Sequence, residues 1–386
     1  MGYHAQDVWW QAMSRFPDDP RPAEANANPI FDVADMLELD LGRGHVERCG
    51  PCPVCGGTDR FSINSRKNVF NCRRCGGKGG PLDLVMFVRG VTFPQALDWL
   101  CGPRQELTAT EQAYRAEKAA EHKRRRAAEA ERHRAEVRRT AAAIWGGCYR
   151  ADGTDVTRYL ERRGIAPGMM PVMPPALRYQ PDARYMVPDG SGWREIYRGP
   201  AMVAGVLDRE GCLSAVHRTW IDLSRPKGKL VLPVEGKAGE AWPSKKVLGV
   251  KKGGAIRLRT PEGADTLIMA EGIETTLSAM VADSVPGAAY WCGVDLGNMA
   301  GQRKLGKGLK YAGIPDMDDA EAFVPPAWVR RLIFIQDGDS EPRLTRAKLE
   351  SGLRRAMALR PGLRGQIVPV AEGQDLNDVL MGVGNE

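Results

Sequence analysis

Two short stretches toward the C-terminal end decide the fold: Thr266-Leu-Ile-Met-Ala-Glu-Gly272 and Leu332-Ile-Phe-Ile-Gln-Asp-Gly-Asp339. Each is a brief apolar run that stops on a carboxylate followed by glycine. Strands that are apolar throughout, rather than alternately, are covered on both faces. Two further runs, from Ala288 to Cys292 and from Gln366 to Val370, repeat the pattern with helical periodicity between them. A mostly parallel α/β sheet is therefore predicted for the last 120 residues. In open sheets of this kind ligands bind at the carboxyl ends of the strands, which is where Glu271, Asp337 and Asp339 are expected to converge. The fourth run is also followed by acids, Glu372, Asp375 and Asp378. Crowded carboxylates repel one another unless a cation lies between them. Hard oxygen ligands that leave room for water and phosphate suit Mg²⁺, and the matching chemistry is phosphoryl or nucleotidyl transfer.

The other chemical signal lies far upstream. Five of the nine cysteines fall between positions 49 and 75, and Cys52-Pro-Val-Cys55 and Cys72-Arg-Arg-Cys75 are separated by sixteen residues. That is the spacing of a four-thiolate zinc ribbon. A glycine after each pair lets the backbone turn tightly round the metal. Such a site has no open position, so the Zn²⁺ is expected to be structural and to supply much of the folding energy of a small module. Cys49 reads as a spare thiol, because no glycine follows the Cys49-Gly-Pro-Cys52 pair. Arg73 and Arg74 sit between ligands, and Phe70 lies on a ribbon strand. Basic and aromatic residues interleaved in this way suit stacking and phosphate contact with single-stranded nucleic acid, although filling the ribbon's own small core explains Phe70 equally well.

Between these regions the composition changes sharply. Residues 104–139 hold eleven basic and seven acidic side chains among alanines, which predicts a solvated helical linker over 104–143. Its run Lys123-Arg124-Arg125-Arg126 suits contact with phosphates, but a charged, solvated face is the reading favoured, about two to one. A helix from Thr154 to Gly164 and a hairpin formed by 202–207 and 212–221 follow, and 225–254 reads as a basic loop region. The chain thus divides into a zinc-binding region at 1–103 with its ribbon at 49–80, the linker, a basic α+β subdomain at 144–264, and the α/β region at 265–386. Gly301-Gln-Arg-Lys-Leu-Gly-Lys-Gly308 comes close to a phosphate-binding P-loop, but Gly308 stands where Ser or Thr must hold Mg²⁺, so no ATPase is predicted.

With 386 residues, 43% of them hydrophobic and 27% charged, the chain is too long for a single small scaffold. It has neither an apolar run of membrane length nor the pattern of a secretory signal; a cytoplasmic location is expected. The formal charge of +7 is modest, but its distribution is informative. Residues 1–48 carry four Arg against nine acids, and 49–101 carry seven Lys and Arg against three Asp, so the positive field starts with the cysteines.

The motifs together carry a family resemblance. TLIMAEGIETTLSAM, LIFIQDGDSE and GQDLNDVL resemble a Toprim domain, with its strand-ending Glu-Gly and Asp-x-Asp. CPVCGGTDRF and VFNCRRCGGKGGPLDLVMFVRGVTF resemble the zinc-binding domain of bacterial and phage DNA primases of the DnaG type. AMVAGVLDREGCLSAVHRTWIDL and KKVLGVKKGG resemble the basic subdomain that precedes Toprim in phage and plasmid primases. The resemblance implies an α/β Toprim catalytic domain of Rossmann-like, mostly parallel sheet, a preceding α+β subdomain and an N-terminal zinc ribbon. It implies RNA-primer synthesis from ribonucleoside triphosphates on single-stranded DNA, giving an RNA–DNA product, with a separate replicative helicase as partner and Mg²⁺ or Mn²⁺ as catalytic cofactor.

On this resemblance Asp337 and Asp339 are metal ligands, Glu271 is either a ligand or a proton-transfer group, and Asp375 completes the site. Arg218, Lys245, Lys246, Lys251 and Lys252 contact template, nucleotide or product phosphates. Cellular members commonly place a His among the zinc ligands, where this chain has four Cys. Two alternatives share parts of the pattern: a Toprim nuclease, and a non-catalytic recombination mediator of the RecR type. A type IA topoisomerase is disfavoured because it needs a Tyr nucleophile in large additional domains.

Overall fold

The computed structural model describes residues 19, 21–103, 109–189, 192–235, 239–304, 306, 308–338, 341–371 and 373–382. Asp339, Glu372 and the P-loop-like positions Leu305 and Lys307 lie outside them. The chain forms two compact units: one is Met1–His133 with Val187–Arg194, and the other is Arg134–Met186 with Glu195–Glu386. Among the described residues no helix is long and apolar enough to cross a membrane.

In the first unit β1 (Glu47–Cys52), β2 (Gly56–Asn64), β3 (Val69–Cys72) and β4 (Lys78–Gly79) make an antiparallel sheet in sequence order. Four short helices surround it: Arg21–Ala27, Ile30–Met36, Pro81–Arg89 and Phe93–Cys101. Their boundaries follow local chemistry. The helix Pro81–Arg89 begins on a proline whose missing N–H costs nothing at that position and ends at Gly90, which takes the left-handed conformation at φ 63°. Thr92 and Gln95 then close a capping box, the Gln95 Oε1 accepting from the Thr92 backbone N–H at 2.9 Å. Phe61, Ile63, Phe70, Leu82, Leu84, Val85 and Phe93 form the core. Asn68, in the β2–β3 turn at φ 56°, is a buried staple. Its Oδ1 accepts from the Ile30 N–H at 2.8 Å, and its Nδ2 donates to the carbonyls of Asn26 and Asn28.

The charged segment is helical, as its composition dictates, over Ala109–Gly146, 38 residues or about 57 Å at 1.5 Å per residue. It is not solvated throughout. At its end Ala141 is fully buried with Val203 and Val216, and Ile144 and Trp145 pack against them. Alanine is small enough to vanish into a core without leaving the wide apolar stripe that the sequence reading sought.

The second unit contains two sheets. In the first, β5 (Tyr149–Arg150), β6 (Leu177–Asp189), β7 (Gly192–Leu207), β8 (Leu213–Trp220) and β11 (Lys245–Gly249) are arranged in the order β11-β8-β7-β6-β5. The small pair β9 (Leu232–Pro233) and β10 (Ala241–Trp242) lies between β8 and β11 in the chain. Strand β11 falls inside the segment read as a basic loop: it pairs antiparallel with β8, Lys246 opposite Arg218 and Val247 opposite His217. The second sheet contains β12 (Ile256–Arg259), β13 (Thr266–Ala270), β14 (Ala289–Cys292), β15 (Arg331–Gln336) and β16 (Arg364–Pro369), in the order β12-β14-β13-β15-β16. All are parallel except the antiparallel edge β12.

The continuous apolar runs are explained by what covers each face. Ile268, Ala270, Tyr290, Cys292, Ile333 and Ile335 point to one side, where Ile273, Leu277 and Met280 of the helix Ile273–Ala282 meet them. Leu267, Met269, Ala289, Trp291, Leu332 and Phe334 point to the other, against Leu349, Leu353 and Ala356 of the helix Pro342–Leu359. Both faces of every central strand are thus buried, and there is no position at which a polar residue is tolerated until the strand ends.

Candidate functional site

The four cysteines come together as their spacing requires. The sulfurs of Cys52, Cys55, Cys72 and Cys75 all lie within 4.8 Å of one another, with Cys52 to Cys75 at 3.8 Å and Cys55 to Cys72 at 3.6 Å. A tetrahedral zinc with bonds of about 2.3 Å sets its sulfurs about 3.8 Å apart, so this donor set fits the ion. The Cys55 N–H points at the Cys52 sulfur at 3.5 Å. Cys49, on β1 opposite Ser62, stands apart from the set.

Phe70 requires a correction. It is 2% exposed, in a cluster with Phe61 (ring centroids 5.6 Å apart) and Phe87 (5.2 Å). Both ring faces serve the core, so it offers no stacking platform. Arg73 pairs with Asp59 at 3.0 Å, while Arg74 is exposed.

In the second unit the acids stand where the sheet changes direction. From β13 the chain passes through the helix Ile273–Ala282 to β14 on one side, and from β15 through Pro342–Leu359 to β16 on the other. The two helices cover opposite faces. The crevice between β13 and β15 is therefore the switch point of the sheet, the place where ligands bind in open α/β folds. Met269 lies opposite Phe334 in this pair; carried on by two residues, the register sets Glu271 beside Gln336 and next to Asp337. Strands lie about 4.8 Å apart, so the two half-buried carboxylates leave the sheet as neighbours. The loop after β16 is held against this turn: the Gly338 N–H donates to the Gln374 carbonyl at 2.8 Å, and the Gly373 N–H to the Gly338 carbonyl at 2.8 Å. A Cβ on Gly338 would stand 2.0 Å from the Ala371 oxygen, so only glycine permits the approach.

Asp375 reaches the same edge but is already engaged. It caps the helix Leu376–Leu380 by accepting from the Asp378 N–H at 2.7 Å and faces the buried Arg163 guanidinium at 3.8 Å. Among the described residues the cysteines are the only group of three or more ligand-bearing side chains as close as one ion demands.

Beside Glu271, in the first turn of the next helix, is a residue the sequence reading passed over. Glu274 is 3% exposed. Its Oε2 accepts from Lys245 Nζ at 2.9 Å, and its Oε1 accepts from the Tyr159 hydroxyl and faces Lys229 Nζ at 3.4 Å. Burial alone would raise its pKa, but Lys245 and Lys229 hold it well below the carboxylate range. Burial brings Lys229 down to about 8 despite Glu274; for Lys245 burial is outweighed by Glu274, and the pKa is raised. His217, next to them on β8, is pushed down to about 4 by burial and by Lys245, so it is neutral. One carboxylate faces two lysines whose side chains are 25% and 33% exposed, which leaves a net positive shelf at the β13 end of the crevice.

The other basic residues are dispersed. Arg218 lies 4.9 Å over the Trp220 ring and donates to the Arg184 carbonyl at 3.3 Å. Lys246 leaves the opposite side of β11 from Lys245, lies 4.0 Å over the Tyr185 ring and donates to the Met186 carbonyl. Lys251 pairs with Asp295, and Lys252 with Glu321 at 3.1 Å. The signal that could have found Glu274 was its place one helical turn after the Glu271-Gly272 strand end. Lys229 carried no signal within a Lys-rich loop.

The family described as "Domain of unknown function (DUF7146)" matches residues 135–258. No curated protein matches the chain. Among solved structures the chain is similar to the Aquifex aeolicus primase zinc-binding and RNA polymerase domains, at 14% identity over 95% of this chain and 83% of that one, with a TM-score of 0.35. It is similar to a DNA primase domain from Pseudomonas aeruginosa at 11% identity over 64% and 74%, with a TM-score of 0.38. It is also similar to the primase fragment of the bacteriophage T7 primase-helicase protein, at 14% identity over 87% and 95%, with a TM-score of 0.31.

Proposed function

We propose that this chain is a DNA primase, which joins ribonucleotides into short RNA primers on single-stranded DNA by metal-dependent nucleotidyl transfer in a Toprim-type site. The observation that carries the reading is the pair Glu271 and Asp337, at the ends of the two neighbouring strands that flank the switch point of the sheet. The motif order in the sequence and the four-thiolate cluster support it.

The donor chemistry at the crevice, half-buried carboxylates on adjacent strand ends, suits Mg²⁺ or Mn²⁺, with Asp337 and Asp339 as ligands. When bound, such an ion neutralises phosphate charge and makes the attacking oxygen more acidic. Glu271 then serves as a ligand or takes the proton of the primer hydroxyl. Lys229 and Lys245 place positive charge where triphosphate oxygens lie, and Glu274 fixes both ammonium groups so that they need not reorganise during transfer. The zinc module engages the template, and strand unwinding belongs to a separate helicase.

The test is to supply zinc-loaded protein with single-stranded DNA, ribonucleoside triphosphates and Mg²⁺ or Mn²⁺. Short RNA complementary to the template is expected. DNA cleavage without RNA over a panel of templates would establish the nuclease instead, and DNA binding with neither product the mediator.

A further inference from the structure

Of the ribbon residues expected to touch nucleic acid, Phe70 is buried and Arg73 is paired with Asp59, which leaves Arg74 exposed. A different part of the first unit concentrates charge that nothing offsets. Where the β2–β3 turn meets the helix Ala109–Gly146 there is a cavity of about 350 Å³, lined by Arg66 and Lys67 from the turn and Lys123 and Arg126 from the helix, with no acidic residue in its wall. Among the described residues none of the four makes an ion pair.

Each side of the cleft is held in place. On the turn side Asn68 ties the backbone to Asn26, Asn28 and Ile30. On the helix side Arg126 donates to the Ala27 carbonyl at 3.1 Å. Lys123 and Arg126 are three residues apart and share one face, whereas Arg124 and Arg125 point away. The same face carries Ala127 and Ala130, small enough to leave room between helix and turn. Elsewhere on this helix Lys118 has Glu121 for a partner at 3.5 Å. Four like charges gathered from two separate segments repel one another, and that cost is offset when a polyanion occupies the space.

We propose that this cleft binds the phosphodiester backbone of single-stranded nucleic acid. It deepens the primase reading by naming where the template strand is held, and it rests on that reading for the identity of the polyanion. The contact is to phosphate, so it carries no base preference.

The experiment measures binding of a fluorescent oligothymidylate to the full-length, zinc-loaded protein across a salt series, comparing wild type with R66Q/K123Q. Loss of two phosphate contacts is expected to weaken binding about tenfold at moderate salt and to reduce the salt slope by about 1.4, at 0.7 per contact. Lys123 is exposed and, among the described residues, makes no hydrogen bond or ion pair, so K123E removes no interaction that holds the fold and, by reversing the charge, is expected to weaken binding more than neutralising Lys123 alone. Unchanged affinity and slope in both variants would overturn the site, as would loss of binding to phosphatidylserine vesicles with oligonucleotide binding intact. The measurement does not depend on synthesis. If wild type makes no RNA but the variants bind less, the cleft stands and the primase reading fails; if wild type makes RNA and the variants bind normally, the reverse holds.

Discussion

The sulfur cluster of the first unit and the acidic edge of the second are both places where like-charged ligand groups are gathered, and they are built in opposite ways. Four cysteine sulfurs lie on two tight Cys-x-x-Cys turns, and their mutual distances already match one tetrahedral ion. The acids lie at the ends of separate strands. Glu271 and Asp337 are neighbours only because β13 and β15 pair, and Asp375 is engaged by Arg163 and by its own helix. A closed site can hold a module together. An open one leaves room for a substrate, and its positions are set by a core that exists without it.

This contrast predicts where changes will be felt. The largest effect is expected from Cys72→Ser, which removes a ligand of an ion whose binding supplies about 10–16 kcal/mol in small zinc modules. Zinc content should fall and the first unit should become protease-sensitive, while the second unit keeps its cooperative melt. Normal zinc content would show that the ligands are others.

Next is Glu274→Gln, which leaves Lys229 and Lys245 without a counter-charge. Breaking a buried ion pair costs about 3–5 kcal/mol, to be read by denaturant unfolding of the second unit with zinc content unchanged. A loss below about 1 kcal/mol would mean that the lysines find water instead. The smallest effect is on pH dependence. Lys229 holds its proton in the folded state only below about pH 8, against 10.5 for an ordinary lysine. The shelf's charge is therefore complete below that pH and is lost as pH rises through it. Nucleotide KM should rise several-fold between about pH 7 and 9 with kcat less affected, and Lys229→Arg should flatten the profile.

Much of the second sheet was legible because its strands are buried on both faces. Thr266–Ala270 was read with its observed ends, and Leu332–Gln336 differs by one residue. The first sheet of that unit was harder to read. Strand β6 contains Pro181 and Pro188, which argue against a central strand; it tolerates them because its outer neighbour β5 pairs only at Arg178 and Tyr179. Strand β11 was hidden by its own lysines, whose stems lie along the sheet while their heads reach Glu274 or Tyr185. The four-cysteine cluster was legible from spacing alone. Glu274 was marked only by its place one turn after the Glu271-Gly272 strand end, a weak signal because a glutamate in the first turn of a helix is ordinary; only the folded chain brings Lys229, Lys245 and Tyr159 to it. The aromatic reading of Phe70 failed because composition cannot say which face of a four-strand sheet meets helices.

The central claim is that the paired strand ends perform the transfer. It is tested most directly by measuring RNA synthesis on single-stranded DNA by wild type and Asp337→Asn side by side, with oligonucleotide affinity measured on the same samples. The account predicts short RNA from wild type, a loss of about 10³-fold or more in the variant, equivalent to about 4 kcal/mol of transition-state stabilisation, and unchanged affinity. Equal synthesis by the variant, or loss of synthesis only in step with loss of binding, would contradict it.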